Sequence, residues 1–141
     1  VVGLRNGWEG IMKIDRTKPL EEQKYCQILT EQNVQKIART GGTFLHTSRT
    51  KPSKVAKDKV PENLRDKYNA DENDLTDDII KNLEYLGIDY LVPIGGDDTL
   101  SYGLRLHKAG VRCVGIPKTM DNDVPGTDYC IGLRSCVTST I

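Results

Sequence analysis

The chain is poor in aromatic residues, with one Phe, one Trp and six Tyr among 141 residues. It has only two His and no excess of either charge, since Lys plus Arg and Asp plus Glu both number 20. Nucleic acid or an anionic membrane would favour a basic surface, so the balance argues against both as partners. No apolar run approaches the roughly 20 residues that a spanning helix needs. His46 and His107 stand alone and leave a zinc site or a catalytic triad nothing to build on. The four cysteines, Cys26, Cys113, Cys130 and Cys136, are irregularly spaced with no CxxC pair. They read as reduced structural thiols of a cytoplasmic protein. The start, Val1-Val2-Gly3-Leu4-Arg5, lacks a signal peptide's charged and apolar regions.

What is present is an alternation of short apolar runs with helical patterns, which predicts an α/β fold with a mostly parallel sheet flanked by helices. Val1 to Leu4 is a strand candidate, followed by a turn at Asn6-Gly7. Residues 15 to 27 read as loop with an irregular strand. Thr30 is expected to cap a helix carrying Val34 and Ile37 and ended by Gly41-Gly42. Thr43 to Thr47 is expected to be a short extended segment. Residues 51 to 73 read as a polar insertion or loop. Thr76 is expected to cap a helix carrying Ile79, Ile80, Leu83 and Leu86, stopped by Gly87. Tyr90 to Ile94 reads as a buried strand and Arg112 to Ile116 as the next one. Between them Thr99 to Lys108 reads as a helix with Leu100 and Leu104 facing the sheet.

Two turns carry the chemistry. Leu91 to Ile94 runs into Gly95-Gly96-Asp97-Asp98-Thr99, and Gly115-Ile116 runs into Pro117-Lys118-Thr119-Met120-Asp121-Asn122-Asp123. In a parallel sheet, ligands bind beyond the carboxyl ends of the strands, so both turns are expected to open onto one crevice. Paired glycines let a phosphate approach the backbone, and a following helix start offers free N–H groups. Carboxylates there can hold Mg²⁺ or accept a proton. Asp121 and Asp123 alternate about Asn122, so an extended segment would point both carboxylates, and Thr119, the same way. The combination predicts phosphoryl transfer.

These residues resemble the 6-phosphofructokinases. The matching pieces are Gly41-Gly42-Thr43-Phe44-Leu45 through Ser48-Arg49, Gly95-Gly96-Asp97-Asp98-Thr99, Pro117 through Asp123, and Gly126-Thr127-Asp128-Tyr129 with Ile131-Gly132. The resemblance implies part of the family's N-terminal α/β domain over residues 1–141, without the family's first strand and second domain, and inactive by itself. It implies that Asp121 takes the proton from the 1-hydroxyl of fructose 6-phosphate, while Thr119 and Asp123 help hold that sugar. It implies Asp97 as the Mg²⁺-linked acid and Arg49 as the arginine that neutralises the transferring group. Gly95, Gly96, Asp98, Thr99 and Lys118 would hold the donor. Trp8 falls where the family often puts an aromatic beside the phosphates, or it is a packing residue. Gly132-Leu133-Arg134 departs from the family's usual Gly-Phe and small residues.

Two positions bear on the donor. Where ATP-using relatives usually carry glycine after Gly-Gly-Asp, this chain has Asp98, whose charge would oppose a nucleotide α-phosphate. Two like charges ~4 Å apart at an effective dielectric of 20 repel by about 4 kcal/mol. Lys118, where such relatives commonly have glycine, can neutralise a small inorganic donor. The pair resembles the pyrophosphate-dependent branch, which implies a reversible reaction in glycolysis and gluconeogenesis by a homo-oligomer. ATP dependence and a non-catalytic phosphate-binding domain are the alternatives.

Overall fold

The computed structural model describes residues 1–140, with Ala38 described by its backbone alone. The chain forms two compact units, Val1–Gly87 and Ile88–Ile141.

In the first unit, β1 (Val2–Leu4) pairs antiparallel with β2 (Cys26–Ile28), with Gly3 opposite Gln27. The strand expected within residues 15 to 27 is therefore β2. The loop before it is closed by the buried amide of Gln23, which donates to the carbonyls of Asp15 and Lys18 at 2.6 and 2.7 Å. After β1 the chain turns through left-handed Asn6 and Gly7 into a helix, α1 (Gly7–Met12), where sequence suggested only a turn. Its glycines and the single Trp mask an apolar face of Trp8, Ile11 and Met12 that is buried. Gly10 is obligatory, because a Cβ there would lie 1.8 Å from the Arg5 carbonyl oxygen.

Thr30 does cap a helix, through a capping box with Asn33, but α2 covers only Glu31–Val34. A separate 3₁₀ turn follows at Ile37–Arg39. With Val34 exposed and no longer apolar stripe, nothing offsets the cost of continuing the helix. Thr43 to Thr47 is not extended: it turns at Phe44-Leu45, and His46 has φ 59°. It docks beside β1 instead, with the Asn6 N–H donating to the Leu45 carbonyl at 2.8 Å. Residues 51 to 73 contain a small antiparallel pair, β3 (Val55–Ala56) with β4 (Glu72–Asn73). Val55, Val60 and Leu64 from this polar stretch are buried.

The longest helix of this unit is α3 (Thr76–Tyr85). Thr76 is its first residue rather than its cap. The Asp74 carboxylate plays the capping part, accepting from the Thr76 N–H at 3.0 Å. Ile79, Leu83 and Leu86 are buried as expected, and Gly87, at φ 65°, ends the helix. The same face also buries Asp78 and Asn82, which apolar periodicity does not register. Asn82 donates to the Ile11 carbonyl at 2.8 Å and accepts from Arg16 at 2.7 Å, tying α3 to α1.

The second unit holds the parallel sheet, in the order β5 (Ile94–Gly95), β6 (Ile116–Thr119), β7 (Ile131–Gly132). An isolated parallel bridge, Leu91 with Cys113, extends the β5–β6 pairing backwards. The strand at Tyr90 to Ile94 is not buried throughout. Leu91 and Pro93 are covered, whereas Val92 and Ile94 are 49% and 56% exposed, because alternate residues face opposite sides and only one side is packed here. The packing element is α4 (Asp97–Lys108). Gly103 lets it approach, since a Cβ there would lie 2.9 Å from Pro93 Cγ. Leu100 faces the sheet at Gly115, but Leu104 does not and is 54% exposed; Tyr102 and Leu106 take the core positions. The final helix, α5 (Leu133–Thr140), buries none of its described residues.

Candidate functional site

Both chemical turns leave the sheet at its carboxyl edge. β5 and β6 are adjacent and parallel, with Ile94 opposite Ile116 and Gly95 opposite Pro117. The next residues, Gly96 and Lys118-Thr119, therefore emerge side by side. A Cβ placed on Gly96 would lie 3.8 Å from the Lys118 carbonyl oxygen and 3.9 Å from Thr119 Cβ.

The two glycines have different reasons to be there. A Cβ on Gly95 would meet the Thr99 side chain at 2.5 to 2.8 Å, so its hydrogen is needed to seat the first turn of α4 on β5. Gly96, with φ −80° and only ordinary contacts, is the one that keeps the space between the turns open. Sequence reasoning assigned both to phosphate access.

Asp97 and Asp98 occupy the first turn of α4, where carboxylates favour the helix dipole and would also offset its attraction for a bare anion. Both are exposed, as are Lys118, Asp121 and Asp123, while Thr99 and Thr119 are half-buried. Among the described residues, no group of three or more His, Cys, Asp or Glu comes together as a metal cage.

The strand ends at Thr119 and the chain bends at Met120 and Asp121, so Asp121 to Asp123 does not extend it. Asn122 has φ 52°, so the alternation rule does not set the direction of its two acidic neighbours. The bend is held locally instead. The Asp121 N–H donates to Thr119 Oγ1 at 3.2 Å. The Asn122 amide donates to the Asp128 carbonyl at 3.1 Å and accepts from the Cys130 N–H at 2.8 Å. Sequence reasoning treated Asn122 as a spacer. An Asn between two polar residues in a turn was the available signal, because Asn tolerates left-handed backbone and bonds to nearby main chain.

Arg49 belongs to the first unit, exposed, on irregular chain just after Ser48, whose Oγ accepts the Glu9 N–H at 3.3 Å. Trp8 is buried within the first unit at 8% exposure, which favours its packing role.

The second unit is thus an α/β assembly whose parallel strands end in adjoining turns of glycine, threonine, lysine and acid. The family described as Phosphofructokinase matches residues 1–141, and the chain belongs to that family. It is 36% identical over 137 residues to an ATP-dependent 6-phosphofructokinase of Corynebacterium efficiens, covering 97% of this chain and 32% of that one. It is 34% identical over 137 residues to a pyrophosphate–fructose 6-phosphate 1-phosphotransferase of Dictyoglomus thermophilum, with 97% and 32% covered. A protein of the same name from Amycolatopsis mediterranei is 38% identical over 138 residues, with 96% and 32% covered. The chain spans about a third of the length of these curated relatives. The crystal structure of a pyrophosphate-dependent phosphofructokinase from Marinobacter aquaeolei shares the fold, with a TM-score of 0.59 at 23% identity, covering 96% of this chain and 30% of that one.

Proposed function

We propose that the complete protein transfers a phosphoryl group from pyrophosphate to the 1-hydroxyl of fructose 6-phosphate, giving fructose 1,6-bisphosphate and phosphate. The observation that supports this best is the adjacency of Gly96 to Lys118-Thr119 at one strand edge. It gives a donor held by the first turn and an acceptor held by the second a common place to meet.

In this reading Asp121 takes the proton from the attacking hydroxyl as oxygen approaches phosphorus. Thr119 and Asp123 hold the sugar, and Thr119 also fixes the Asp121 peptide through its hydroxyl. Gly95, Gly96 and Thr99 shape the donor pocket, with Gly96 supplying the access. Lys118 neutralises the donor's charge; for Arg49, in the first unit, the role at the transferring group is the one the family resemblance implies. Asp98 disfavours a longer nucleotide donor by charge and bulk.

Mg²⁺ fits the donor set through Asp97. This ion commonly keeps several waters and draws one or two carboxylates from protein and the rest of its oxygens from phosphate, so a single exposed acid suffices. When bound it supplies charge neutralisation to the phosphoryl oxygens. The same reading makes the complete protein a cytoplasmic homo-oligomer, and its place in glycolysis and gluconeogenesis is what family membership supports.

ATP as donor is the second reading, favoured by the ATP-dependent relative from Corynebacterium efficiens. Coupled assays of the complete protein with pyrophosphate and ATP in parallel test the choice. Turnover with pyrophosphate at least tenfold more efficient is expected. Turnover with ATP alone would replace the donor assignment. Binding of pyrophosphate without turnover would identify a non-catalytic phosphate-binding domain.

A further inference from the structure

The bend that carries the two acids is closed by one side chain. Asn122 lies between Asp121 and Asp123 in left-handed backbone, φ 52°, a conformation that costs Asn less than most residues. Its amide reaches across the loop to two main-chain groups, accepting from the Cys130 N–H at 2.8 Å and donating to the Asp128 carbonyl at 3.1 Å. Donor and acceptor there are unambiguous, because a backbone N–H faces one amide atom and a carbonyl the other. Cys130 is buried, and its hydrogen bond with the half-buried Asn122 is partly covered.

The clamp also closes a circuit through the sheet. Cys130 leads directly into β7, which pairs with β6 through Lys118 opposite Ile131 and Thr119 opposite Gly132. From Thr119 the chain returns through the Thr119 hydroxyl to the Asp121 N–H and so to Asn122. Side-chain and ladder hydrogen bonds thus hold both flanks of the Asp121 peptide. Without the amide, the bond from the Asp121 N–H to Thr119 would be the side-chain tie left between the bend and β6 among the described residues.

We infer that Asn122 is a positioning residue: its amide, clamped between the Asp128 carbonyl and the Cys130 N–H, holds Asp121 where proton abstraction requires it. This rests on the reading of Asp121 as the base. Misplacing a reacting group by about 1 Å costs roughly 10² in rate, so losing the clamp should act on turnover more than on substrate binding.

The test uses Asn122→Gly in the complete protein, beside Asp121→Ser. Glycine keeps the left-handed backbone without strain and deletes both side-chain bonds. The expected result is a kcat lowered on the order of 10- to 100-fold, a loss larger than any accompanying rise in KM for fructose 6-phosphate through Asp123, with the melting temperature little changed. Hydrogen exchange at the Cys130 amide should accelerate in the same variant, a readout that needs no activity. Asn122→Asp retains an acceptor for the Cys130 N–H, so exchange there should stay slow; this second variant serves if the glycine form folds poorly. Unchanged Cys130 exchange in Asn122→Gly, or an unchanged kcat while Asp121→Ser is severely impaired, overturns the positioning role and leaves the base assignment standing. Full turnover in Asp121→Ser overturns the base assignment, and the positioning role with it.

Discussion

Gly96 and Thr119 face each other across the ends of two neighbouring parallel strands, with only 3.9 Å between Thr119 Cβ and the place a Cβ on Gly96 would take. A methyl group fits that distance, whereas a branched side chain would fill the space between the turns. Gly96→Ala should therefore fold normally, and Gly96→Val should raise the KM for the phosphoryl donor by about tenfold or more, equivalent to roughly 1.4 kcal/mol. Gly95→Ala is expected to behave in the opposite way, because its methyl would collide with Thr99. A loss of about 1–3 kcal/mol in denaturant melts is the scale of such overpacking. Equal stability of the two alanine variants would refute the division of labour between the glycines.

Replacing Asp121 removes the proposed proton acceptor. Asp121→Ser should lower kcat by roughly 10² or more, the scale of a lost general base. Steady-state kinetics on the complete protein read this directly, and parental turnover would dismiss the assignment.

Asp98 and Lys118 carry opposite charges, one on each turn. Asp98→Gly combined with Lys118→Gly should shift the ratio of kcat/KM for ATP over pyrophosphate upward by about tenfold or more, since 1.4 kcal/mol suffices for that factor. Measuring both donors on parent and double variant decides it. A ratio that does not move removes charge selection at 98 and 118 from the account.

Asp78 should make the first unit sensitive to acid. Its side chain is 3% exposed and accepts hydrogen bonds from Arg16 at 3.1 Å, Tyr68 at 2.7 Å and Lys67. Burial pushes the carboxyl upward, but the hydrogen bonds from Lys67, Tyr68 and Arg16 outweigh it and hold the pKa at about 2. The folded value lies below that of an unfolded Asp, so the stabilisation is complete above about pH 4 and is lost as pH falls through about 2. Its size is about 1–2 kcal/mol, discounted because Arg16 and Lys67 are partly in water. Asp78→Asn should flatten the pH dependence of stability between pH 4 and 2 and lower the melting temperature at pH 7. Parallel acid-melting curves for parent and variant would show the idea to be wrong.

Some of this was open to reading in one dimension. The α3 stripe of Ile79, Leu83 and Leu86 and the stop at Gly87 follow from a period near 3.6 and a residue suited to positive φ. Hydrophobic patterning failed where packing is partial or polar. Leu104 has the right spacing but the wrong face, and Asp78 and Asn82 are buried because charged and amide partners reach them from distant segments. Helix α1 escaped notice because two glycines flank its Trp, and only the Arg5 carbonyl pressing on Gly10 explains why one of them is needed.

The linear order of residues determined the α/β class, the two strand-ending turns and the stock of acids, lysine and threonine that they contain, since these depend on local preference and composition. Tertiary structure alone decided that β5 lies beside β6, that Gly96 and not Gly95 keeps the gap open, and that Asn122 binds residues six and eight positions further on. Strand neighbours are settled by hydrogen bonds between segments remote in sequence, and the Asn122 bend by bonds to specific groups further along the loop; no local periodicity encodes either.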